Sequence, residues 1–202
     1  MTLRSLNNSL GTSLSCVRVW LRWGIPIKID GDEHILRTIY SPANVNEKKN
    51  ELRPNFMKPP TSVDEDDPTI ASNKLSSTRY DYAGIEFCRA HARYYQSEPR
   101  RHFWGFGQFV VSELTAPRTI EGREYTCTMQ NKPTSDNPAH ANIVLGFREE
   151  VGKTLDSQWS EYFKQLTKGA KVLKDPNPES VNWEGEPVEE PKNRVLTFNP
   201  KK

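Results

Sequence analysis

Hydrophobic and polar residues alternate in residues 15–29, where SCVRVWLRWGIPIKI sets Val17, Val19 and Leu21 between arginines and a tryptophan. A period of two is typical of a half-buried strand. A second apolar run, HILRTIY at 34–40, predicts another strand. Because the IDGDE segment between them contains the Asp-Gly pair that favours tight turns, the two strands are predicted to form a hairpin.

Two later segments have the periodicity of helices. In residues 81–97 the apolar positions recur at helical spacing, with Asp81 as a candidate N-cap and a proline shortly after the end. Their common face is formed by Ile85, Cys88, Ala92 and Tyr95. Residues 154–173 predict a second helix. Its apolar stripe contains Leu155, Trp159, Tyr162, Phe163 and Leu166.

The remaining apolar runs are strand-like. Residues 102–116, HFWGFGQFVVSELTA, are rich in aromatic and β-branched residues, and Gly105 and Gly107 predict a bulge or a close backbone approach. The segments EYTCTM and ANIVLGF, separated by the loop KPTSDNP, predict two more strands. The sequence therefore predicts an α+β fold: a mostly antiparallel sheet with two main helices and long irregular proline-rich segments.

Proline content and length predict the domain organisation. The 202 residues include 15 prolines, which fall in clusters. We expect a single α+β domain over residues 1–173, with a long loop at 41–69, followed by a C-terminal arm at 174–202. The arm is predicted to wrap the domain or to reach a partner, and to be cut by proteases near 174–190 in the isolated protein.

Charge and cysteine content narrow the class of protein. The chain has 28 basic and 26 acidic residues, a net charge of +2 that provides no general attraction to nucleic acid or to acidic membranes. Its cysteines, Cys16, Cys88 and Cys127, are an odd and sparse set that argues against a disulfide framework. No apolar run is long enough to span a membrane. The Arg- and Ser-rich start is compatible with a mitochondrial transit peptide, but a bacterial cytoplasmic protein is the preferred interpretation.

One histidine lies where a loop meets a predicted strand. In TSDNPAHANIVLGF, the Asp-Asn-Pro run favours a turn, and His140 follows it directly. General acid–base chemistry needs a histidine beside a partner, and Asp32, Glu33 or Asp136 could provide one. No G-x-S-x-G or H-E-x-x-H motif accompanies it. A structural hydrogen-bonding role is therefore preferred, while ligand binding and catalysis stay open.

A second set of residues has the chemistry of a zinc site. Cys88 and His91 are spaced i, i+3 on a predicted helix, and Cys127 and His140 follow later. Two cysteines and two histidines are the ligands of many structural zinc ions. The spacing matches no known finger, however, and Cys88 lies on the predicted apolar face, where a cysteine packs as a small hydrophobe. We therefore predict no metal and no cofactor.

The third candidate is a segment in which arginines alternate with aromatic residues. Such segments bind partner proteins, since Arg, Tyr and Trp dominate interface hot spots, and they also bind phosphates and bases. With a net charge near zero, protein binding is preferred to nucleic acid binding, and an ordinary solvated face stays open as the third interpretation. The predicted partner-binding residues are Arg89, Arg93, Tyr94, Arg100, Arg101 and Trp104, with Trp183 in the arm.

Three short motifs resemble those of a group of small uncharacterised bacterial proteins: GDEHILRTIYSP, TIASNKLS and DNPAHANI. The matching positions are Asp32, Glu33, Leu36, Arg37, Ser72, Lys74, Asn137, Pro138 and His140. The chain has Lys74 where the group has an arginine, which removes the planar fork needed for bidentate contacts. The resemblance covers roughly residues 30–147. It implies that Asp32, Glu33, Arg37, Asn137 and His140 form a polar cluster, and that the protein belongs with accessory genes beside mobile or defence loci.

The preferred function is that of a non-catalytic protein-interaction or accessory subunit of a bacterial multi-protein system. Antiviral defence or a toxin–antitoxin-like role is implied by the resemblance. Another protein of the same system is the expected partner; nucleic acid is less favoured and a membrane is not expected. Two alternatives stay open. The protein could be a small hydrolase or nuclease that uses His140 with a carboxylate, or an RNA-binding accessory protein that uses residues 89–104.

Overall fold

The computed structural model describes residues 3–49, 51–59, 62–64, 67, 69–94, 102–147, 157–180 and 182–197. The helices are α1 (Leu3–Trp23), α2 (Tyr80–Tyr94), α3 (Val111–Thr115) and α4 (Ser157–Lys168), with a 3-10 turn at Pro54–Met57. The strands are β1 (His34–Ser41), β2 (Val45–Asn46), β3 (Glu51–Leu52), β4 (Lys74–Arg79), β5 (His102–Val110), β6 (Arg118–Ile120), β7 (Arg123–Tyr125), β8 (Cys127–Asn131), β9 (His140–Leu145) and β10 (Lys171–Lys174).

Six of these strands form one antiparallel sheet in the order β10-β5-β1-β4-β9-β8. Two small hairpins, β2–β3 and β6–β7, lie outside it. The predicted α+β class with a mostly antiparallel sheet is thus confirmed. No helix among the described residues is long and apolar enough to cross a membrane.

Both faces of the sheet are covered by apolar side chains. One cluster joins Ile35 and Ile39 of β1 to the aromatic residues of α4 and to the 3-10 turn. The other joins Leu36 of β1 to α2 and to the C-terminal segment. The inward alternation of β5 breaks at Gly105, where the β1–β5 register shifts by one residue. This is the bulge that the glycines of the β5 segment predicted.

The predicted strand at 15–29 is wrong, and so is its hairpin with β1, because residues 3–23 form a helix. Cys16, Val19 and Trp23 share one helical face. Cys16 is buried, while Val19 and Trp23 pack against the cluster under α2. The period-two alternation covers only seven residues, too few to exclude the helical period that these residues also satisfy. The described residues therefore contain three long helices where two were predicted.

Two other boundaries differ from prediction. The helix predicted at 154–173 ends at Lys168, and the next residues form β10 at the outer edge of the sheet. Asp81 is not a helix cap; its buried carboxylate accepts a hydrogen bond from the backbone N–H of His34 at 3.0 Å. Asp81 therefore ties the start of α2 to the start of β1.

The described part of the arm lies against α2. Arg89 is buried and donates to the carboxylate of Asp175 at 2.6 Å and to the carbonyl oxygens of Asn177 and Ser180 at 2.7 Å each. Further along the arm, Leu196 is buried in the cluster under α2. The segment from 175 to 197 thus contributes to the core on this face of the sheet.

Candidate functional site

A cleft opens where β1 and β4 separate. Within the described chain, the register of these two strands pairs only Ile35 with Arg79 and Leu36 with Thr78. β1 continues to pair with β5 as far as Ser41, and β4 pairs with β9 back to its first residue. Beyond Leu36 the two strands therefore diverge, and an open cleft of about 850 Å³ lies between them.

The edges of the two strands form the sides of this cleft. Residues 36–38 of β1 and 74–78 of β4 line it without a gap in sequence. Because consecutive side chains of a strand point to opposite faces, such a lining follows the strand edge and not one face of the sheet. One wall comes from the loop after β1, including Lys58, and the other from α2 and the loop before β9.

Arg37 lies at the fork between the strands. Its Nε donates to the carbonyl oxygen of Phe56 at 3.0 Å, and its Nη1 donates to that of Ser76 at 2.9 Å. The guanidinium also covers the ring of Phe56, with 5.5 Å between Cζ and the ring centroid. Burial lowers the pKa of Arg37 to about 10, so the group is still charged at neutral pH. Both acceptors are neutral, and, of the five N–H donors of a guanidinium, these two bonds use two; the other three have no acceptor among the described residues.

His140 is hydrogen-bonded through both ring nitrogens. Nδ1 lies 2.7 Å from the carbonyl oxygen of Lys132, and Nε2 lies 3.2 Å from the hydroxyl of Ser76. Because a carbonyl oxygen only accepts, Nδ1 carries the proton of the neutral ring, and Nε2 accepts from Ser76. Burial is the main cause that lowers the pKa of His140, partly opposed by the bond to Lys132. The imidazole is therefore mostly neutral at pH 7.

The other charges of the cleft are distributed unevenly. On one wall, His91 lies 3.2 Å from the carboxylate of Asp136. On β4, Lys74 forms an ion pair of 2.9 Å with the buried Asp64. Lys58 is exposed and, within the part of the chain that the structure describes, forms no ion pair. The positive charge without an acidic partner is thus concentrated on the wall that carries Lys58 and the guanidinium at the fork.

The polar cluster predicted from the resemblance is divided in the structure. Arg37, Asn137 and His140 line the cleft. Glu33 is buried elsewhere in a two-bond ion pair with Arg79, at 2.8 and 2.6 Å. Asp32 is exposed and bonds Lys192 of the arm at 2.6 Å. Among the described contacts, His140 therefore bonds neither Asp32 nor Glu33. Each of these carboxylates is paired with another cation, Lys192 or Arg79.

The predicted Arg–aromatic surface is also dispersed. Arg93 donates to the carbonyl oxygen of Ser180 at 3.1 Å, so both arginines of α2 contact the arm. Trp104 is buried in the cluster under α4, and Trp183 packs against Phe106 with 6.4 Å between ring centroids. Tyr94 is exposed. Arg100 and Arg101 lie outside the described residues.

The four residues considered for zinc do not converge. Cys88 packs under α2 and Cys127 under α4, on opposite faces of the sheet, and burial raises the pKa of both thiols. His91 and His140 line the cleft without either cysteine. Within the described ranges, no group of three or more His, Cys, Asp or Glu side chains could hold a metal ion.

A second candidate surface lies on α1 and was missed because this N-terminal segment was predicted to be a strand. On the outer side of α1, large apolar side chains are exposed to solvent: Leu14 (59%), Val17 (37%), Trp20 (52%) and Leu21 (72%). Leu14, Val17 and Leu21 follow the i, i+3, i+7 spacing of one helical face. We call these four residues the α1 face. That spacing was readable in the sequence and is the signal that could have found the surface.

The comparisons with known proteins add no relative. No protein-family model, no curated protein and no solved structure matches the chain.

Proposed function

We propose that this protein is a non-catalytic interaction protein, an accessory subunit of a bacterial multi-protein system in the cytoplasm, and that the α1 face docks on its partner. The α1 face is the observation that carries the proposal. Isolated exposed apolar residues are common. Four large apolar residues exposed close together on one helix indicate an interaction surface. The setting, antiviral defence or a toxin–antitoxin-like system, is supported only by the resemblance of the three motifs.

The charge of α1 indicates the chemistry of the partner. The helix contains no acidic residue, and Arg18 and Arg22 lie beside the α1 face. An amphipathic helix of this kind binds in an apolar groove of another protein, with its apolar residues as anchors. The arginines then complement carboxylates at the rim of the groove. We therefore expect a partner protein with an apolar groove bordered by Asp or Glu.

Photo-crosslinking in cells of the source organism tests the proposal. A photoreactive amino acid is introduced at Leu21 on the α1 face, and, as a matched control, at the exposed Lys171 on β10. We expect position 21 to capture one heterologous protein that position 171 does not capture. Crosslinks to a second copy of the chain, to lipid, or to the same proteins at both positions would contradict the proposal.

The captured protein then allows affinity to be measured. Leu14→Gln and Leu21→Gln each remove an anchor whose burial is worth about 1.5–3 kcal/mol, so each lowers the affinity at least about tenfold. Both side chains are mostly exposed, so the melting temperature should hardly change. Val195→Gln, at an exposed apolar residue of the arm, is the control and should leave the affinity unchanged. Unchanged affinity in both leucine variants would remove the α1 face from the interface.

The contacts and burial of the residues concerned support the hydrolase and RNA-binding hypotheses to different degrees. For the hydrolase hypothesis, the Ser76–His140 contact has a serine hydroxyl facing the unprotonated nitrogen of a neutral histidine, which is the arrangement of a nucleophile and its base. The ring is oriented by a backbone carbonyl, not by the carboxylate that the hypothesis named. For the RNA-binding hypothesis, Arg89 and Trp104 are both buried. The interaction protein is the function that we prefer.

A further inference from the structure

We propose that the cleft between β1 and β4 binds an extended acidic peptide segment of a partner protein, inserted as an additional strand between them. The inference rests on the proposed function, because it adds a second partner contact to an interaction protein. It concerns a different surface from the α1 face and depends on different residues. A synthetic peptide can therefore test it independently of the partner that α1 docks on.

Backbone groups of β4 that do not pair with β9 face the cleft. In an antiparallel sheet, the backbone groups of alternate residues point to the same edge of a strand. The N–H of Arg79 donates to the carbonyl oxygen of Ala139, on the β9 side. Ser76 is three residues earlier and faces the opposite edge, as the hydrogen bond from Arg37 to its carbonyl oxygen shows.

The β1 side is complementary. The N–H of His34 points toward the start of α2, where Asp81 accepts its hydrogen bond. By the same alternation, Leu36 and Thr38 direct their backbone groups to the β4 side. Leu36 is the last residue of β1 that pairs with β4 in the described register. The edge at Thr38 is therefore open to a new strand.

Beyond Leu36 the described register contains no direct pair between the two edges. Paired strands lie about 4.8 Å apart, which leaves no room for a side chain between their backbones. Here the guanidinium of Arg37 lies in the gap and reaches Ser76 from β1. The cleft volume of about 850 Å³ falls within the range of ligand sites, roughly 300–1,000 Å³. An inserted strand would take over the Ser76 carbonyl and free Nη1 of Arg37.

The charges of the cleft favour carboxylates on one side of that strand. Arg37 and Lys58 lie on the wall near Phe56, where the described residues offer them no acid. The opposite wall carries His140 and Asp136, the latter beside a histidine. Since alternate side chains of a strand face opposite walls, the preferred peptide alternates acidic with small polar residues. Released Arg37 donors then bind a carboxylate in the two-bond geometry that guanidinium favours.

Fluorescence anisotropy with a labelled Glu-Thr octapeptide (ETETETET) tests the proposal at low ionic strength. We expect saturable binding that is at least about tenfold tighter than binding of the Lys-Thr octapeptide, because charge complementarity selects the partner. A Glu-Thr peptide N-methylated at alternate residues keeps its charge but cannot pair along one edge, and it should also bind at least about tenfold more weakly. Absence of binding, or equal binding of the methylated peptide, would overturn strand insertion.

Two competing ligands and four variants test the proposal further. Inorganic phosphate and an octamer of thymidylate should fail to displace the peptide; displacement by either would indicate an anion or nucleic acid site instead. Lys58→Glu, at an exposed residue, should weaken peptide binding at least about fivefold, and Lys171→Glu on β10 is its matched control. Arg37→Gln should weaken it more than Arg37→Lys, because only the guanidinium donates in the two-bond geometry.

Each variant is used only if its circular dichroism spectrum matches that of the wild type, which shows that it is folded. If the Arg37 variants do not fold, Lys58→Glu still tests the charge argument. Equal affinity of Lys58→Glu and wild type would overturn the charge argument. The Leu14→Gln/Leu21→Gln protein should bind the octapeptide with wild-type affinity. Loss of α1 docking with intact peptide binding, or the reverse, therefore shows which of the two proposals fails.

Discussion

The partners of three arginines show which of them are structural and which one is a candidate site residue. Arg79 forms two hydrogen bonds with the buried carboxylate of Glu33, and Arg89 pairs with the buried Asp175. These two charges are neutralised where they lie, so they stabilise the fold only as complete pairs. Arg37 has neutral backbone acceptors and lines a cleft. Its charge is therefore the one of the three that can attract an anionic group.

His140 is the residue whose role a single substitution can decide. His140→Gln should lower the free energy of unfolding by about 1–2 kcal/mol at pH 7.5, because glutamine cannot restore both the Lys132 and the Ser76 hydrogen bonds. Urea denaturation measures the change. A variant as stable as the wild type that has lost partner binding or activity would make His140 a site residue, and loss of activity would favour the hydrolase hypothesis.

The pH dependence of His140→Gln provides a second measure. Burial holds the folded-state pKa of His140 below its ordinary value of 6.5, so the unfolded chain binds the proton first as the pH falls. The contribution of the neutral ring is complete above about pH 6.5 and is lost as the pH falls toward the folded-state pKa. The stability difference between wild type and variant should therefore shrink from pH 7.5 to pH 5. His102→Gln, which removes a mostly exposed imidazole, is the matched control for the loss of a histidine. A difference that stays constant or widens would contradict the neutral, buried ring.

Among the elements, α1 and the β5 bulge show what a local sequence pattern can and cannot predict. The apolar residues of α1 serve two surfaces, one against the body and one in solvent, so the apolar pattern is spread around the helix. A sequence pattern records that residues are apolar but not which of them become covered. In β5, by contrast, Gly105 predicted the bulge correctly, because its φ of +156° is a local backbone conformation that glycine adopts far more readily than other residues.

Gly105→Ala should destabilise the protein by about 1–3 kcal/mol. A Cβ at this position would lie 2.2 Å from the carbonyl oxygen of Leu173 in β10, a backbone atom that cannot move without separating the two strands. Gly31→Ala is the matched control, since its Cβ would lie 3.5 Å from Cβ of Ser112, an ordinary contact, and should change the stability by no more than about 0.5 kcal/mol. Guanidinium denaturation of both variants measures the difference. Equal stability of the two would show that β10 is not held against β5 at this point.

For the whole molecule, the main question is how firmly the C-terminal arm is attached. The sequence predicts protease cleavage near 174–190, whereas the structure places a buried arginine in three contacts with that segment. The hydroxyl of Tyr80 also donates to the carbonyl oxygen of Glu189 at 2.5 Å, and the N–H of Val195 donates to that of Tyr82 at 2.9 Å. We therefore expect the arm to resist proteolysis as long as the Arg89 contacts are intact.

Arg89→Ala should release the arm. Removing one partner of a buried ion pair costs about 3–5 kcal/mol, so a protease specific for glutamate should cut the arm at least about tenfold faster than in the wild type. Arg93→Ala is the matched control, because this arginine contacts the arm only weakly: it donates one hydrogen bond to the carbonyl oxygen of Ser180 at 3.1 Å and forms an ion pair of 3.8 Å with the exposed Glu179. Mass spectrometry of the digests over time locates the cuts. Equally fast cleavage between 174 and 190 in wild type and Arg89→Ala would show that the contacts do not hold the arm.

The sequence by itself determined the features that depend on neighbouring residues. The strand at 34–40, the helix that begins near 81, the strand after the Asp-Asn-Pro turn and the antiparallel α+β class all follow from hydrophobic periodicity and turn chemistry. Positions with special backbone demands, such as Gly105, were also readable. The sequence also named Arg37, Asn137 and His140, which line the cleft, and the resemblance joined them to Asp32 and Glu33, which do not line it.

Only the tertiary structure decided which charges meet, which surfaces stay exposed and where the sheet opens. Glu33 meets Arg79 across 46 residues of sequence, and Arg89 meets Asp175 across 86. Sequence periodicity extends over one or two turns or a few strand residues, so it cannot rank such distant partners. The separation of β1 from β4 depends on the register of each strand with its other neighbour. The cleft, with an Arg37 that forms no ion pair among the described residues, is therefore a property of the assembled sheet, which neither strand determines alone.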